Sequence, residues 1–135
     1  MARYALAIGV VACGLAAAPL FAQLAVIERG KPTTLRGEIV EISCYQKKGI
    51  AGGTGDAHAA CAKECAQKGL ALGLLTDGDG IYKIVGSLTN DNNAKIVPFI
   101  AKQVELFGTQ VVLSNSYDVR QSFDAQKIAP VKKGS

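Results

Sequence analysis

Residues 70–87 read LALGLLTDGDGIYKIVGS. Two apolar, β-prone runs, LALGLLT and IYKIVGS, flank DGDG, and Asp-Gly between such runs is a strong short-range signal for a tight β-hairpin. Asp77 and Asp79 are turn residues in this reading, because the stretch lacks the spaced ligands and closing glutamate of a calcium loop. The hairpin places strands at 70–76 and 81–87. Upstream, LRGEIVEISCY is rich in β-branched residues and carries Val40, Ile42 and Cys44 on one side of a period-two pattern, which predicts a strand over 35–44 ending at the first thiol. Downstream, DNNAK starts a turn, IVPFIAKQ reads as a short helical or irregular crossing, and VELFGTQVVL predicts a strand over 104–113. A last strand is expected over 117–128, within YDVRQSFDAQKIAPV.

Between the first strand and the hairpin the pattern changes. QKKGIAGGTGD holds four glycines in eleven residues, which predicts a mobile loop. AHAACAKECAQK then lies between Asp56, a residue type that caps helices, and Gly69, which can end one in a left-handed conformation, so a helix is expected over 57–68. The fold class that emerges is mainly β with one inserted helix (α+β), a small five-stranded barrel behind an N-terminal hydrophobic helix. Closing five short strands into a barrel is the best way to bury both faces in a chain this small. Gly37 and Gly108, inside strand patterns, suit its sharp bends. Tyr45, Tyr82, Phe99 and Phe107 are expected in the core.

The N-terminus reads as an export or insertion signal. No charge occurs from Tyr4 to Ile27, a run of 24 residues preceded by Arg3 alone. Residues 1–22 fit a signal peptide cleaved after Ala22, while the apolar run to 27 is also long enough for an uncleaved membrane anchor. The VVAC before Gly14 resembles a lipoprotein box at Cys13, with a short apolar lead. ERGKPTT, over 28–34, reads as a linker into a domain at 35–130. The expected location is therefore periplasmic or otherwise extracytoplasmic, with membrane contact through 4–27 if the segment is retained and a membrane protein complex as the partner. The formal charge of +4 is small and its lysines and arginines are scattered, which is not a nucleic-acid footprint.

Chemistry concentrates in HAACAKEC, residues 58–65, and in Cys44. At about 100° per residue, His58, Cys61 and Cys65 fall on one helical stripe, expected to face the barrel, and the two thiols stand one turn apart. Three readings follow. The four residues Cys44, His58, Cys61 and Cys65 can form a metal site for zinc or copper, with His58 the most distant member. Alternatively Cys44 forms a structural disulfide with one helical thiol, or a cysteine with a lowered pKa performs redox chemistry. The absence of C-x-x-C and C-x-x-C-H disfavours thioredoxin-like and c-type haem chemistry, and no Walker-type phosphate loop is present.

The combination of GEIVEISCY, HAACAKEC, LGLLTDGDGIYKIVG and NAKIVPFIAKQVELFGTQV resembles a group of small exported bacterial domains that look like OB-type barrels. The likeness covers roughly residues 35–113. It implies the barrel fold and the Cys-Tyr plus H-x-x-C-x-x-x-C site, and no particular reaction.

Overall fold

The computed structural model describes residues 27–113 and 121–131; the N-terminal apolar run up to residue 26, Cys13 and the expected strand start at 117–120 lie outside them. Five strands, β1 (Ile27–Glu41), β2 (Leu72–Thr76), β3 (Gly80–Val85), β4 (Gln103–Leu113) and β5 (Ser122–Pro130), close into a barrel in the order β1-β2-β3-β5-β4. All neighbours are antiparallel except β3 and β5, which run parallel. Two helices, α1 (Ile42–Gly53) and α2 (Asp56–Gln67), are inserted between β1 and β2. A second crossing between β3 and β4 contains 3₁₀ turns at Ser87–Thr89 and Val97–Phe99 and a short turn at Asn90–Asn93.

The DGDG hairpin forms as the sequence indicates, with Thr76 opposite Gly80 and the Thr76 hydroxyl donating to the Gly80 carbonyl at 3.1 Å. The stretch expected as a linker, 28–34, is instead part of β1. A barrel closes only if one strand reaches both neighbours, and β1 pairs with β4 along Ile27–Glu38 and with β2 along Glu38–Glu41. Pro32 lies where the register with β4 shifts, between Arg29 and Pro32, the kind of irregularity at which proline is found within sheets. Gly37 and Gly108 sit where strands approach closely: a Cβ at the first would collide with the Leu75 carbonyl and at the second with that of Asp124.

Ile39, Leu72, Leu74, Tyr82, Ile84, Val104, Leu106, Phe123 and Ala125 fill the interior, and Leu88, Ile96, Ile100, Ala62 and Ala66 extend the same cluster. Tyr82 meets Phe123 edge to face, ring centroids 6.4 Å apart, an arrangement favoured by the ring quadrupoles. Phe107 departs from expectation. It lies on the exposed side of β4, with the Lys127 ammonium 5.9 Å from its ring centroid, and Phe123 holds the central place.

The glycine-rich segment is the main correction to the expected layout. Residues 46–53 continue α1, with a kink at Gly49 (φ 65°) in place of a mobile loop. Gly53 then packs its backbone against Tyr45 so closely that a Cβ would touch the Tyr45 Cα. Glycine here permits two chain segments to touch, and the helix is started by a side chain whose role is described below.

Candidate metal centre

At the end of β1 the side chain of Glu41 is completely buried. Its carboxylate turns back to accept the backbone amides of Ser43 at 2.9 Å and Cys44 at 2.8 Å. Those amides are among the orphan donors of a helix N-terminus, so Glu41 acts as the N-cap of α1 and ends the strand at residue 41. Cys44, expected at a strand end, therefore sits in the first helical turn.

The second helix contributes the other two thiols. α2 buries His58, Ala62 and Ala66 against the barrel, and its alanines allow the close approach. Cys61 and Cys65 flank that stripe and do not face the barrel interior: Cys61 is exposed, and Cys65, like Cys44, is half-buried. Gly55, not Asp56, occupies the N-cap position. Its amide donates to the Glu38 carboxylate at 2.6 Å, which ties the start of α2 to β1, while Asp56 lies in the first turn where its charge complements the positive end of the helix. Gly69, at φ 86°, follows the helix end as expected, and the Asn93 side-chain amide donates to the carbonyls of Ala66 at 2.9 Å and Leu70 at 3.1 Å.

The result is a cluster of three sulfurs. The Sγ atoms of Cys44, Cys61 and Cys65 all lie within 4.8 Å of one another. For comparison, sulfurs at zinc–sulfur bond length in a tetrahedral site are about 3.8 Å apart. All three are free thiols, so the structure holds no disulfide among them. His58, the fourth expected ligand, is not a member of the group. It is 6% exposed on the barrel-facing stripe, and its Nε2 has no hydrogen-bond partner. It lines a small cavity with Glu38, Ala62 and Ile100 that has no room for water. His58 and the two cysteines share roughly one side of α2, as the helical spacing predicts, but the barrel takes one flank of that side and α1 the other.

Electrostatics couple the cluster to its cap. The hydrogen bond to Glu41, then burial, then the negative charge of Glu41 and the proximity of Cys61 and Cys65 push the Cys44 thiol up to about 12. Burial acts to raise the pKa of Glu41 itself. The hydrogen bonds from the Cys44 thiol and from the amides of Ser43 and Cys44 outweigh it and hold the carboxyl below its ordinary value. Without an ion, the raised pKa keeps the Cys44 thiol protonated beside the buried Glu41 carboxylate, which makes it a poor nucleophile and disfavours thiolate redox chemistry at this residue. Glu41 was missed in the sequence because glutamate is not among the preferred capping residues; the only signal was an acidic side chain two and three residues ahead of Ser43 and Cys44.

Comparison of the chain with known protein families, curated proteins and solved structures finds no match. The functional reading accordingly rests on the residues themselves.

Proposed function

We propose that this protein is a small OB-type barrel that binds a soft transition metal, zinc or copper, through Cys44, Cys61 and Cys65, in a binding or accessory role and not as a catalyst. The observation that carries the reading is the mutual approach of three free sulfurs from two separate helices to within 4.8 Å. Thiolates select ions of this class, and a shared ion relieves the crowding of three sulfurs once their protons have left. The five-strand order with its parallel β3–β5 pair supports the OB-type assignment. His58 is not a ligand in this proposal.

The test is metal analysis of the reduced protein under anaerobic conditions, together with thiol counting. One ion per chain is expected, with single Cys→Ser changes at 44, 61 or 65 each removing it and His58→Ala retaining it. Stoichiometric metal in all three serine variants would refute the site.

We propose further that the domain works outside the cytoplasm, a reading supported by the 24-residue uncharged run from Tyr4 to Ile27, and that with the run retained as an anchor it serves a membrane complex. Among the described residues no helix is long and apolar enough to cross a membrane. Intact mass of the protein recovered from its host decides how the run is used. A mature chain beginning at Gln23 is expected for cleavage, and a full-length chain released only by detergent for an anchor. A full-length chain recovered from the cytosol without detergent would contradict both.

A further inference from the structure

We infer that the cluster takes copper(I) in preference to zinc, in three-sulfur coordination, with the exposed Cys61 as the ligand through which the ion is exchanged. This inference deepens the metal-binding reading and rests on it. Zinc in structural sites is almost always four-coordinate, and in open sites a water completes three protein ligands where a substrate will be activated. The first arrangement lacks its fourth protein ligand among the described residues. His58 and Glu41 are committed elsewhere. His58 points into the barrel-side cavity, and Glu41, although bonded to Cys44, is held by the Ser43 and Cys44 amides and is not within mutual reach of all three sulfurs. Four cavities among the described residues have no cysteine in their walls. What remains is an all-sulfur, three-donor set at a helix surface, which suits a soft monovalent ion that is content with three thiolates.

Burial makes the three ligands unequal. Cys44 is locked at a helix N-terminus and Cys65 is half-buried, whereas Cys61 is open to solvent. An incoming thiolate from a partner attacks the copper ion from the open side, a new copper–sulfur bond forms, and the bond to Cys61 breaks. The released thiolate takes up a proton from water, and copper stays in the +1 state throughout. The partner is thus a protein or small molecule that presents thiolates.

The experiment offers equal amounts of copper(I), as its acetonitrile complex, and zinc(II) to the reduced full-length chain without oxygen. The expected result is one copper per chain with zinc excluded by about a hundredfold or more, and a copper X-ray absorption spectrum showing three sulfur neighbours and no nitrogen or oxygen. Alkylation of the copper-loaded protein, mapped by mass spectrometry, is expected at Cys61 before Cys44 and Cys65. Retention of zinc over copper, or a fourth ligand in the spectrum, overturns the inference and leaves the metal-binding reading standing. Binding of neither ion overturns both. Alkylation that begins at Cys44 or Cys65 overturns the role given to Cys61.

Discussion

At the residue scale, the pair Glu41 and Cys44 controls how the cluster responds to pH. The folded-state pKa of Cys44 lies near 12, against about 8.5 for an unperturbed thiol. A group raised in this way contributes stability that is fully present below the unfolded value and is lost as pH rises through the folded one. The metal-free protein is therefore expected to lose stability between about pH 8.5 and 12, measured by urea unfolding across that range, with Cys44→Ala giving a flatter profile. Glu41 acts in the opposite sense: its carboxyl is held below the ordinary value, so its contribution is present at neutral pH and fades as the solution is acidified. Metal affinity should fall as pH drops, because each ligand must lose its proton before it can bind. An occupancy independent of pH from 5 to 8 would be incompatible with thiolate ligation.

At the element scale, the position of α2 depends on fastenings at both ends. Its start is tied to β1 by Glu38 and its last turn to the second crossing by Asn93. Asp91, Asn92 and Asn93 all adopt positive φ, 53°, 54° and 62°. Asn and Asp tolerate this conformation best, and it carries the Asn93 amide to the end of α2. Asn93→Ala removes both hydrogen bonds and places a Cβ residue without a polar side chain in the left-handed region, so a loss of about 2–4 kcal/mol is expected in urea unfolding. Asn93→Gly, which relieves the backbone but not the lost bonds, should recover part of it. Equal stability for the Ala variant and the original chain would show that the fastening is idle. The helix itself was legible from its alanines and from Gly69, as was the hairpin from DGDG. The first inserted helix was not, because composition marks a glycine-rich run as irregular, while the features that order it, the Glu41 cap and the contact of Gly53 with Tyr45, are a side-chain choice and a tertiary approach. For the same reason the three cysteines could be grouped from the sequence, but His58 could not be separated from them without knowing which flank of α2 meets the barrel.

At the scale of the whole molecule, closure of the barrel leaves no strand edge unpaired in the ring, which removes the usual template for edge-to-edge association. The interior depends on Phe123, fully buried and in edge-to-face contact with Tyr82. Phe123→Ala should cost about 3–5 kcal/mol, measured by thermal or urea unfolding, and Phe107→Ala much less because that ring lies at the surface. Similar losses for both would contradict this assignment of core and surface. The placement of the two helices between β1 and β2 also bears on the order in which the structure is assembled. Glu41 pairs with Leu72 only after residues 42–71 have been looped out, whereas Thr76 meets Gly80 across three residues. With closure entropy growing as the logarithm of loop length, the β1–β2 seam begins with a handicap of about 2 kcal/mol relative to the β2–β3 hairpin. The hairpin therefore zips early and the seam closes late. Cys44 leaves β1 on one side of that seam, and the chain bearing Cys61 and Cys65 returns to it on the other, so the metal centre is among the last parts of the molecule to come into existence during folding.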